Sequence, residues 1–145
     1  MRLISHRGNI TGPKPGLENT LQYIEEAIEK GYDVEVDVWY KEKKYFLGHD
    51  EPLHEVSINF LKNEKIWCHC KNIEALQNLL INDAHCFFHN EDEVTLTSEN
   101  FMWVYPEKKL VSGAICVLPE KGYAGDLSLC AGICSDYIEE YHEKS

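Results

Sequence analysis

The order strand, helix, strand at the start of the chain does most to limit the folds open to it. Leu3-Ile4-Ser5 is a short apolar opening, and the segment after it turns through Gly12, Pro13, Pro15 and Gly16. Asn19 is placed to cap the next segment, in which Leu21, Ile24, Ala27 and Ile28 recur at helical spacing before Gly31 supplies a stop. From Tyr32 to Tyr40 the period drops to two, with Val34, Val36 and Val38 on one face and Glu35, Asp37 and Trp39 on the other. A helix between two strands is the crossover that a parallel pair requires, so the opening implies an α/β arrangement.

The pattern continues, then changes. A lysine-rich turn at Lys41 to Lys44 leads into Tyr45-Phe46-Leu47-Gly48, a hairpin extension that carries His49 back toward the strand end. Ile58 to Leu61 reads as a helical turn, Lys65 to Lys71 as a third strand, and Ile73 to Ile81 as a helix with Leu76, Leu79 and Leu80 inward. Beyond it, Cys86 to His89, Phe101 to Tyr105, Ala114 to Leu118 and Gly132 to Ser135 read as strands with little helical sequence between them. The Glu139 to Lys144 end reads as a solvated tail. At 145 residues the chain supports one domain, residues 1–145. Continued closure of parallel strands would give a barrel, but a full (β/α) barrel takes ~250 residues. The expected fold is therefore a reduced TIM-like (β/α) barrel with several outer helices missing or shortened. Strands left uncovered would need dimerisation or an open barrel.

Charge removes whole classes of partner. Fourteen basic against 25 acidic residues give a formal charge of -11, which opposes nucleic acid or an anionic membrane surface as the main partner. A small anion remains compatible, because one bound cation reverses the local field. No apolar run approaches the ~20 residues of a membrane span. Cys68, Cys70, Cys86, Cys116, Cys130 and Cys134 fall mostly in strand-like apolar runs without a Cys-x-x-Cys pair, and Met1 to His6 passes into a polar motif without the apolar stretch of a secretory signal. Reduced thiols and a cytoplasmic location are expected.

Three short motifs carry chemistry: His6-Arg7-Gly8, Glu35-Val36-Asp37 and His49-Asp50. Strand geometry puts Glu35 and Asp37 on one face, where two carboxylates suit a hard cation such as magnesium or calcium. His6 and His49 can act as an acid and base pair, and Arg7 can hold a phosphate. Together they point to metal-assisted cleavage of a phosphodiester.

These motifs, with Glu18-Asn19-Thr20 between them, resemble the glycerophosphodiester phosphodiesterases, a family that shares a barrel with the phosphatidylinositol-specific phospholipases. The resemblance also touches Lys71 and the Gly132 to Tyr137 segment, whose Asp136 looks like the aspartate ending the family's last strand. It implies His6 and His49 as acid and base, with Arg7 and Lys71 on the phosphate. Glu35 and Asp37 would be metal ligands, and Glu18 would brace the arginine or lie near the metal. The implied activity is that of a phosphoric diester hydrolase acting on a small phosphodiester such as a glycerophosphodiester.

Two departures stand out. Where the family presents a glutamate two residues before its lysine, this chain has His69, on the same strand face as Lys71; Leu17 replaces a proline. As a third ligand, His69 would shift a site suited to magnesium, calcium or manganese toward manganese, zinc or another transition ion. The other reading is a core histidine satisfied by a backbone carbonyl. Asp50 could orient His49, making His49 the choice for leaving-group acid. His89 and Tyr105, at strand ends, would support the pocket rim, whereas Trp103 reads as core. Two rival readings are a non-catalytic metal- or phosphate-binding module and a structural zinc site on Cys68, His69 and Cys70.

Overall fold

The computed structural model describes residues 1–123 and 125–144. Parallel strands dominate: β1 (Arg2–His6), β2 (Asp33–Lys41), β5 (Ile66–Cys70), β6 (Cys86–Phe88), β8 (Met102–Val104), β9 (Ile115–Val117) and β10 (Gly132–Ser135). They pair in the order β6, β5, β2, β1, β10, β9, β8, every neighbour parallel. Three further strands run antiparallel to their partners. β3 (Lys44–Leu47) pairs with β2, β4 (His54–Val56) with β3, and β7 (Val94–Leu96) with β8.

The result is a mixed ten-stranded sheet among the described residues, not the reduced TIM-like (β/α) barrel that the sequence leads one to expect. The cause lies in the connections. Only α1 (Leu21–Glu29) and α3 (Ile73–Ile81) are helices of more than two turns, and α2 (Ile58–Leu61) is a single turn. Beyond β6, β7 folds back onto β8, and among the described residues the link from β9 to β10 holds only 3₁₀ turns. The second half has no apolar 3.6 period from which outer helices could form.

Local chemistry explains the elements that do form. Helix α1 buries Ile24 and Ala27 and ends at Gly31, whose φ of 97° lets Tyr32 N donate to Ala27 O and Gly31 N to Ile28 O. Its N-cap position is Thr20 rather than Asn19. Asn72 caps α3, accepting from Ala75 N at 3.1 Å, and also bonds both backbone groups of Tyr40, so it fixes the helix start to β2. In α3, Leu79 is buried and Leu76 half-buried, but Leu80 is exposed. The β2–β3 hairpin closes on Glu42 and Lys43, both at positive φ, the geometry of a type I′ turn.

The core has two parts. Val34, Val36, Val38, Cys68, Cys70, Ile24 and Leu79 pack between the sheet and its helices. On the other sheet face Ile4, Trp67, Phe87, Trp103 and Ile115 pack together. Among the described residues no helix is long and apolar enough to cross a membrane.

Candidate active site

Parallel register aligns the chemistry before any side chain is considered. His6 is level with Glu35, and Asp37 is level with His69. Level residues on adjacent strands share a face, so four chemically active side chains project together, away from the valine face of β2. The carboxyl ends of the parallel strands open into one cavity of about 660 Å³. It is lined by His6, Arg7, Glu18, Glu35, His49, His69, Lys71, His89, Tyr105 and Asp136, among others. Such a position is where open α/β sheets bind ligands.

Glu35 and Asp37 are buried, at 2% and 0% exposure. His69 Nδ1 lies 3.4 Å from Glu35 Oε2 and 3.3 Å from Asp37 Oδ1. Its other nitrogen, Nε2, is 2.8 Å from the His89 carbonyl, which can only accept, so Nε2 carries a proton. The two sequence readings of His69 are thus compatible: the ring is held by a backbone carbonyl and still turns Nδ1 toward both acids. Burial lowers its pKa, but Asp37 and Glu35 outweigh that and raise it to about 9.

A divalent cation fits this set. Glu35, Asp37 and His69 offer ligand atoms within 4.8 Å of one another, the one such group among the described residues. Glu35 Oε1 and Asp37 Oδ1 are buried without a hydrogen-bond partner. Unpartnered buried acid oxygens are costly, and a cation is the partner that removes the cost. A metal-binding histidine also normally donates its second N–H to a carbonyl, as His69 does. Zinc on Cys68, His69 and Cys70 does not fit, because the two thiols lie in the core on the face opposite His69. All six cysteines are free thiols, and burial pushes those of Cys68 and Cys134 up.

The acid and base candidates sit on either side. His6 Nδ1 is 2.7 Å from Asp136 Oδ1, and Nε2 is 3.8 Å from Glu35 Oε1. Burial lowers the His6 pKa, but the bond to Asp136 and the charge of Glu35 raise it further, so the net shift is upward. Burial likewise works against ionisation of Asp136, and the His6 bond more than reverses it. His49 Nδ1 is 2.7 Å from Arg7 Nη2 and 3.6 Å from Asp37 Oδ2. The shorter contact decides the tautomer: guanidinium donates, Nδ1 accepts, and the ring proton is on Nε2.

Arg7 sits at a φ of 61°, a strained conformation for a side-chain-bearing residue. Its Nη1 donates to Glu18 Oε1 at 3.2 Å, and its Nε is 3.2 Å from Asp37 Oδ2 as an ion pair without hydrogen-bond alignment. Glu18 is therefore the brace of the arginine and not a member of the acid cluster. Burial raises the Asp37 pKa, but the contact from His69 and the charge of Arg7 hold it well below the usual carboxylate range. Asp50 does not orient His49. Its side chain is 93% exposed and 3.7 Å from Nε2, beyond hydrogen-bond range. His89 donates Nε2–H to Asp92 O and meets Tyr105 edge-on.

Four contributors escape a reading of the sequence. Asn19 does not cap a helix; at a φ of 62° it donates to Asp37 Oδ2 and accepts from Asp37 N, both at 3.0 Å. Trp39 Nε1 donates to Gly48 O at 2.7 Å and so steadies the turn before His49. Asn9 is wholly buried beside Asp136, and Lys121 adds a cation to the cavity wall. Two of these left a signal: Trp39 in its place on the Glu35 and Asp37 face, and Asn19 in the Glu18-Asn19-Thr20 motif. No protein-family model, curated protein or solved structure matches this chain.

Proposed function

We propose that this chain is a divalent-metal-dependent phosphoric diester hydrolase acting on a small phosphodiester, with glycerophosphodiesters as the substrate its motifs resemble most. One observation carries the reading: a carboxylate-paired imidazole, a guanidinium and the buried Glu35 converge on one cavity, and Asp37, with a second buried acid oxygen that lacks a hydrogen bond, lies beside Glu35 and His69 just behind it. Its volume of about 660 Å³ suits a small ligand.

Glu35, Asp37 and His69 would hold one cation, magnesium, calcium, manganese or zinc, which when bound supplies Lewis-acid charge at a non-bridging phosphate oxygen. Arg7 grips the phosphate and Lys71 adds positive charge as the reaction builds up negative charge. His6, with Nδ1–H held by Asp136, keeps Nε2 for the proton of the attacking oxygen, whether of water or of a neighbouring hydroxyl. If Arg7 turns Nη2 from His49 Nδ1 to the phosphate, that ring nitrogen is freed. His49 can then be protonated on both nitrogens, with Nδ1 facing Asp37, and donate from Nε2 to the leaving alkoxide. The free thiols support a reducing, cytoplasmic setting.

Assays of a glycerophosphodiester and an aryl phosphodiester with each of the four cations, before and after chelation, test the reading. Turnover that needs a cation supports it. Calorimetric binding of a phosphodiester without product would instead favour the non-catalytic binding module.

A further inference from the structure

Asp136 Oδ1 accepts two hydrogen bonds, one from His6 Nδ1 at 2.7 Å and one from Asn9 Nδ2 at 2.9 Å. Asn9 is wholly buried, and its own orientation is fixed from behind. Its Oδ1 accepts from Tyr23 Oη at 3.0 Å and from Lys14 N at 3.2 Å. A backbone N–H can only donate, so the atom facing Lys14 must be the amide oxygen. The amide nitrogen then has to face Asp136.

We propose that Tyr23 and Asn9 are positioning residues that aim the Asp136 carboxylate at His6 Nδ1 and thereby lock the tautomer that leaves Nε2 free. The inference rests on His6 as the base of the proposed hydrolase, but the lock itself exists without substrate. A carboxylate can rotate and offer either oxygen; a second, fixed donor on Oδ1 removes that freedom. The backbone of Asp136 is held as well, with its N–H donating to Glu120 Oε2 and its carbonyl accepting from Gly12 N. Helix α1 therefore reaches the base through a chain of three hydrogen bonds, Tyr23 to Asn9 to Asp136 to His6. Tyr23 is also the ring against which Gly8 packs, since a Cβ at Gly8 would come within 2.6 Å of it. The glycine beside the first catalytic motif thus lets the tyrosine approach.

The test is proton NMR of the histidine rings in the full chain without substrate. In the wild-type protein His6 should show one tautomer and a low-field Nδ1 proton that exchanges slowly with water. Asn9→Ser and Tyr23→Phe should each speed that exchange by ~10-fold, about the worth of one hydrogen bond. His85, at the opposite end of the strands and bonded to Thr97, reports whether the fold is intact. Faster exchange at His6 with His85 unchanged supports the lock. Unchanged exchange at His6 in both variants overturns it. If Asn9→Ser does not fold, Tyr23→Phe decides by the same criterion. In the hydrolysis assay, Asn9→Ser should lower kcat and leave KM unchanged. A wild-type protein that shows the locked His6 proton but no turnover would contradict the hydrolase reading and leave the lock standing.

Discussion

At the level of single residues, His69 separates this site from a purely carboxylate one. Its Nδ1 faces Glu35 and Asp37, two acids that favour a proton there, and a cation would take the place of that proton. The pKa is raised above its ordinary 6.5 to about 9, so the proton's contribution to stability is full below 6.5 and lost as pH rises through about 9. Cation affinity should run the other way, rising with pH toward 9 in calorimetric titrations with manganese. His69→Ala should flatten that dependence and weaken manganese and zinc more than magnesium or calcium. An unchanged titration in the variant would return His69 to a structural role. Residue types made most of this cluster legible in sequence, because acids at alternate strand positions and a histidine two before a lysine carry their spacing with them. Asn9 carried none, and Asn19 only its place in the Glu18-Asn19-Thr20 motif, which did not show what it bonds. An asparagine bonds whatever the fold brings near, and here that is Asp136 and Asp37, far away in sequence.

Among the elements, the hairpin after β2 has the largest consequence for the site. It delivers His49 through a turn that Trp39 ties down at Gly48, where an added Cβ would collide with the Glu51 carbonyl. Gly48→Ala should therefore displace His49, and a misplacement of about 1 Å costs on the order of 10²-fold in rate. Manganese affinity should fall much less than kcat, because Gly48 touches the proposed ligands only through its N–H on the Asp37 carbonyl, while Glu35 and His69 lie away from the turn. Unimpaired kcat would show that His49 is not held by this turn. The hairpin was legible because the lysine-rich turn at Lys41 to Lys44 separates two strand-like runs, and α1 and α3 were legible from their apolar residues at helical spacing. Strands β4 and β7 were not, being three residues each and largely exposed. The solvated chain end was read correctly at Glu139, Glu140 and His142, which are exposed, but not at Tyr141, which is buried.

For the whole molecule, the site and the expected barrel part company. The site needs only that the parallel strands end on one side, which the order β6, β5, β2, β1, β10, β9, β8 provides. The barrel would also need a helix after each strand, and the second half supplies β7 and 3₁₀ turns instead. Sequence periodicity could locate strands but not their sheet partners, since those depend on connections that carry no pattern. In the proposed function the cavity hydrolyses phosphodiesters with His6 and His49 as its proton-transfer pair. The most direct measurement is cation-saturated turnover of a phosphodiester by wild type, His6→Gln and His49→Gln, with metal binding checked in each. Each variant should retain the cation and lose ~10²–10⁴-fold in kcat, the usual worth of a general acid or base. Turnover in both variants equal to wild type, or none in the cation-loaded wild type, would contradict it.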